Sequence, residues 1–88
     1  MVRGQEVLTL VIYDVESDRV RNRIAATCKD YGLAHVQYSA FRGPLSGALR
    51  REFFAKLKDM LGARPGRILV APLCEKDAEA CLEVATGP

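Results

Sequence analysis

The chain has 88 residues, a net charge of +2 and 49% apolar residues, with charges of both signs well mixed, a composition that excludes a disordered chain and points to one small domain over residues 1–88. So short a chain hides only about 60–65% of the surface its unfolded form exposes, which leaves a thin core that a partner subunit would reinforce. The longest apolar run, Val7 to Tyr13, cannot cross a bilayer, and the first six residues lack the hydrophobic region of a secretory signal, so a cytoplasmic protein with no membrane association is expected.

Val7-Leu8-Thr9-Leu10-Val11-Ile12-Tyr13 is apolar on both alternating faces, the pattern of a strand in the middle of a sheet. It ends at Asp14, where an apolar strand emerges into a loop, and Ser17 or Asp18 offers an N-cap. Val20, Ile24, Cys28 and Tyr31 recur at helical spacing, which predicts a helix from about Asp18 to Tyr31 that Gly32 terminates.

Ala34 to Arg42 reads as a second strand, with Val36, Tyr38 and Ala40 on one face and His35, Gln37, Ser39 and Phe41 on the other. Gly43-Pro44 is expected to break it. Ser46 then caps a second helix with an apolar stripe of Leu49, Phe53, Leu57 and Met60, ended by Gly62. After the turn at Pro65-Gly66, Arg67 to Leu73 supplies a third strand, and Pro72 sets that position at a free edge or at the strand's end. Glu75 to Glu79 forms a helical turn, and Cys81-Leu82-Glu83-Val84-Ala85 alternates well enough for a short terminal strand.

Two strand-helix-strand crossovers with both helices on one side predict an α+β fold, a ferredoxin-like sandwich. Nine residues are barely enough for the usual central hairpin. Either one bent strand does both jobs or the terminal strand fills the vacancy, in its own sheet or in a partner's.

Cys28, Cys74 and Cys81 form an odd set without C-x-x-C spacing, so no disulfide framework or zinc site is expected and the three read as buried free thiols. The charge is unevenly placed: residues 17 to 51 hold seven Arg or Lys against two acids, and residues 72 to 88 hold one Lys against four acids. That asymmetry suits an anionic partner at one side of the molecule and is equally compatible with a solvated face.

Asp14 is the best single candidate for chemistry, because a carboxylate at the end of a buried strand is rigidly held yet near solvent. It reads as a capping residue or as a metal ligand. One carboxylate makes a poor magnesium site; a two-fold axis that brought two Asp14 side chains together would give a shared Mg²⁺ or Mn²⁺ able to polarise a phosphodiester. Arg19, Arg21 and Arg23 open the first helix, where guanidinium groups and helix amides suit phosphates, or where salt bridges to Glu16 and Asp18 make an ordinary solvated surface. His35 has no second histidine or nucleophile at a useful spacing and reads as a surface residue. No phosphate-binding glycine loop, H-E-x-x-H motif or stacking sheet of the RNA-recognition type is present.

Val11-Ile12-Tyr13-Asp14-Val15, Arg21-Asn22-Arg23, Tyr31-Gly32-Leu33, Val36 to Gly43 and Ile68 to Leu73 together resemble the CRISPR-associated "Cas two" family, over residues 7 to 85 or so. The resemblance implies a ferredoxin-like homodimer acting beside the family's integrase subunit in spacer acquisition, and a metal-dependent endonuclease on RNA or DNA. It implies Asp14 as the metal ligand, one from each subunit. Tyr13, Arg21, Arg23 and Phe41 match positions tied to activity or substrate contact, and Gln37 and Ser39 match the signature strand without a firm role; Arg19, Arg21, Arg23 and Arg42 are the candidate nucleic-acid contacts. The acidic end from Glu75 resembles a tail that exchanges a strand between subunits or meets the integrase. Ala40 replaces the commoner valine, the loop after Asp14 is short and few further acids are available, so a non-catalytic DNA-binding scaffold bridging integrase subunits is the alternative. A ligand-sensing or acylphosphatase-type module sharing only the fold is a third reading.

Overall fold

The structure is a computed structural model that describes residues 5–87; the first four residues, read above as lacking a targeting signal, and Pro88 lie outside the described residues. Strands β1 (Glu6–Val15), β2 (Ala34–Gln37), β3 (Ala40–Ser46) and β4 (Gly66–Leu73) form one antiparallel sheet in the order β2-β3-β1-β4. Helices α1 (Asp18–Asp30) and α2 (Gly47–Leu61) pack on each other and on the sheet, and a short α3 (Glu75–Ala80) packs against β1 and β4. This is the ferredoxin-like α+β arrangement.

The apolar run of β1 earns its central place. Thr9, Val11, Tyr13 and Val15 turn to the helices and are buried, joined by Phe41 and Leu45 of β3, Val20, Ile24 and Cys28 of α1, and Phe53 and Leu57 of α2. Both helix starts follow their caps: the Ser17 hydroxyl accepts from the Val20 amide and the Ser46 hydroxyl from the Leu49 amide, each at 3.2 Å. Leu49, expected in the α2 stripe, is 41% exposed.

The segment Ala34 to Arg42 is not one strand. It folds at Tyr38-Ser39 into a tight hairpin in which Gln37 faces Ala40, with Ser39 at φ 66 and a bulge between His35 and Gln37. The turn and bulge shift the alternation: Phe41 is fully buried while His35, across from it, is exposed. Nine residues suffice because β3 continues past Arg42 to Ser46, so Gly43-Pro44 does not break the strand. β2 pairing ends at Arg42, leaving β3 with β1 as its one neighbour, a setting that tolerates proline. Gly43 is required there, because a Cβ would lie 2.8 Å from the Leu33 side chain and 3.2 Å from its Cα.

Pro72 sits on β4, at the free edge of the sheet, as its missing N–H demands. Cys81 to Ala85 has no regular structure within one chain, and Leu82 and Val84 are 98% and 87% exposed. All three cysteines are free, but Cys74, the N-cap of α3, and Cys81, at its end, are exposed, and Cys28 alone is buried.

Candidate active site

β1 continues one residue beyond its expected end, to Val15, which pairs with Gly66 of β4. Strand alternation therefore sets Asp14 on the face of the sheet away from the helices, with Leu8, Leu10 and Ile12. The carboxylate is exposed. Directly across the ladder lies Arg67, the second residue of β4. Ile12, Tyr13, Asp14, Arg67, Ile68 and Leu69 line a shallow hollow of about 510 Å³, and Asp14, Glu16, Gly66 and Arg67 line a neighbouring one. The close approach of β4 depends on Gly66, where a Cβ would sit 2.9 Å from the Asp14 carbonyl oxygen.

Tyr13 and Phe41 lie on the opposite face. Tyr13 is 4% exposed, Phe41 is fully buried, and their rings stack with centroids 6.4 Å apart. Burial, then the nearby Cys28 and Tyr38, push the Tyr13 phenol above its ordinary pKa, with Arg21 opposing the shift. The two rings sit beneath the Asp14 strand end as its support, on the side of the sheet away from its carboxylate.

The arginines separate. Arg21 Nη1 donates to the Val15 carbonyl oxygen at 2.8 Å, its Nη2 pairs with Asp18, and its guanidinium carbon lies 5.7 Å from the Tyr38 ring centroid. It thereby ties the end of β1 to the start of α1 and to the β2–β3 turn. Arg19 and Arg23 are exposed on α1, in the helical layer. Arg42 pairs with Glu83 of the C-terminal segment at 2.9 Å. Gln37 and Tyr38 are exposed and Ser39 is half-buried at the hairpin end, where the Tyr13 amide donates to the Ser39 carbonyl oxygen at 3.1 Å. His35 is on the surface, its ring stacked on Phe41 at 4.6 Å.

Sequence reasoning missed Arg67 and Glu16 as neighbours of Asp14. Arg67 was visible as the first residue of a predicted strand, but its partner across the ladder depends on register, which no local signal supplies. Carboxylate oxygens are the hard donors that magnesium and manganese take. Their number falls short in one chain: among the described residues no three His, Cys, Asp or Glu side chains come together to hold a metal ion.

The family model for CRISPR associated protein Cas2 matches residues 7–80, from the first apolar residues of β1 to the end of α3. This chain belongs to the Cas2 family. It is 42% identical over 81 residues to the CRISPR-associated endoribonuclease Cas2 of Desulforudis audaxviator, an alignment covering 90% of this chain and 76% of that one. It also aligns along 98% of its length, at 28% identity, with 34% of a CRISPR-associated endonuclease Cas1/endonuclease Cas2 fusion from Thermoproteus tenax. The crystal structure of Streptococcus pyogenes Cas2 superposes with a TM-score of 0.74 at 24% identity, covering 90% of this chain and 99% of that one, which fixes the fold as that of Cas2. Among the described residues, no helix of this Cas2-family chain is long and apolar enough to cross a membrane.

Proposed function

We propose that the chain is a CRISPR-associated endonuclease that acts as a homodimer on nucleic acid phosphodiesters, with RNA as the first substrate class and DNA as the second. The observation that carries this reading is Asp14 itself: an exposed carboxylate at a rigid strand end, on a sheet face that one chain leaves apolar. Ile12 is 43% and Leu69 56% exposed on that face, and a thin core gains from covering it. Two-fold packing of this face on its copy repeats every residue across the axis, and an axis that passes beside Asp14 brings the two carboxylates to one centre.

A Mg²⁺ or Mn²⁺ ion held by the two Asp14 side chains would supply Lewis acidity and a more acidic bound water at that centre. The chain's own residues present the carboxylates rigidly, flank them with Ile12 and Leu69, and hold the substrate phosphate with arginine. The names of the Desulforudis audaxviator relative, an endoribonuclease, and of the fusion protein, an endonuclease, support nuclease chemistry, the first of them on RNA.

A second reading has its own support. The lack, among the described residues, of three metal-ligating side chains in one group, the exposed Arg19 and Arg23, and the joining of Cas1 to Cas2 in the fusion protein all suit a DNA-binding scaffold between integrase subunits in spacer acquisition. Cleavage of defined RNA and DNA by wild type and Asp14→Ala, with and without Mg²⁺ or Mn²⁺, separates the two. The endonuclease reading expects a metal-dependent activity that falls at least about a hundredfold in the variant with the fold retained. Unchanged metal-dependent cleavage by Asp14→Ala would assign the activity elsewhere and leave the scaffold.

A further inference from the structure

We propose that Arg67 is the residue that grips the nucleic-acid phosphate beside Asp14, and that Arg21 is a brace of the fold; the assignment rests on the reading of Asp14 as the reacting centre. Carboxylates without a bound metal ion repel a phosphodiester, so a side-chain cation on the same surface favours holding the substrate there. Four arginines came forward from the sequence, and the structure places none of them there with a free guanidinium. Arg21 is engaged by the Val15 carbonyl, by Asp18 and by the Tyr38 ring, and its side chain is 22% exposed. Arg42 is engaged by Glu83. Arg19 and Arg23 belong to α1, which covers the other face of the sheet.

Arg67 meets every requirement. It is the cross-strand partner of Asp14, so both side chains leave the same face of the sheet. It is exposed and lines both hollows that Asp14 lines. Glu16 shares the smaller hollow, yet among the described residues no carboxylate lies within ion-pair distance of the Arg67 guanidinium. Its backbone is paired with Asp14 in the β1–β4 ladder, so its position relative to the carboxylate is set by that ladder and not by a loop. A guanidinium fork there can take two phosphate oxygens at once, which a lysine cannot.

The test uses the full chain and a fluorescein-labelled single-stranded RNA of about 30 nucleotides, with anisotropy measured in EDTA over a salt series. Wild type is compared with Arg67→Gln, Arg67→Lys and Arg21→Ala, each at the same oligomeric state by gel filtration. Arg67→Gln is expected to bind about tenfold more weakly, with the slope of log affinity against log salt reduced by about one and no change in thermal midpoint. Arg67→Lys recovers part of the affinity, Arg67→Gln raises KM for cleavage more than it lowers kcat, and Arg21→Ala lowers the thermal midpoint while the folded protein keeps near wild-type affinity. Wild-type affinity and salt slope in Arg67→Gln overturn the assignment, as does a loss of affinity in folded Arg21→Ala that Arg67→Gln does not share. Because the binding measurement contains no metal, loss of affinity in Arg67→Gln upholds the phosphate contact even where Asp14→Ala leaves cleavage unchanged and removes the nuclease reading.

Discussion

The two faces of the sheet are built from alternating residues of the same strand and do opposite work. On one, Val11, Tyr13 and Val15 lie under α1 and α2 with Phe41 and Leu45, and the packing is complete within a single chain. On the other, Leu8, Leu10, Ile12 and Leu69 lead to Asp14 and Arg67 with no helix over Asp14. The difference teaches that stability resides in the covered face and that the open one is left for the chemistry proposed above, so a substitution should act on one or the other according to the parity of its position in β1.

The largest expected stability effect breaks the covered face. Phe41→Ala removes a fully buried ring that contacts both Tyr13 and His35, and chemical denaturation should show a loss of about 3–5 kcal/mol. For so small a domain, that loss leaves a large fraction unfolded. If the variant instead kept its stability and lost nucleic-acid affinity alone, the division between the faces would be wrong at this residue.

A smaller effect sharpens the role of the open face. Leu69→Asp sets a charge into the exposed apolar patch, and the dimer proposed above should weaken by about 2–3 kcal/mol, a fall of roughly a hundredfold in association. Light scattering or sedimentation at micromolar concentrations reads this directly. The monomer's thermal midpoint should stay near that of wild type, because Leu69 is 56% exposed in one chain.

The gentlest probe is alkaline pH, which acts on the covered face. Burial pushes the Cys28 thiol from about 9 up to about 12, and burial also raises the Tyr13 phenol. Both groups are held in their neutral, protonated forms when folded, so the unfolded chain loses protons first as pH rises. Folding stability should therefore be full below about pH 9 and decline progressively toward pH 12. Cys28→Ala should flatten that decline while lowering stability at neutral pH, and denaturation midpoints across the range measure both changes.

How far the sequence could be read follows the range of the interactions. The central strand, both helices, their serine caps and Asp14 at the strand end were legible because each depends on periodicity or capping within a few residues. The hairpin at Tyr38-Ser39 was not, since one serine at positive φ and a bulge conceal two strands inside what alternation reads as one. Gly43-Pro44 misled for the opposite reason: a local breaker signal was overruled by pairing with β1 and by the close approach of Leu33.

The sequence alone determined the fold class, the family and the carboxylate, through local periodicity and a run of motifs in fixed order. Only the tertiary structure decided which side chains accompany that carboxylate, setting Arg67 beside it, drawing Arg21 into the scaffold and leaving Tyr13 and Phe41 underneath. The physical reason is that strand register and facing are settled by hydrogen-bonded pairing between residues more than fifty positions apart, and no property of either segment by itself specifies which residue will stand opposite which.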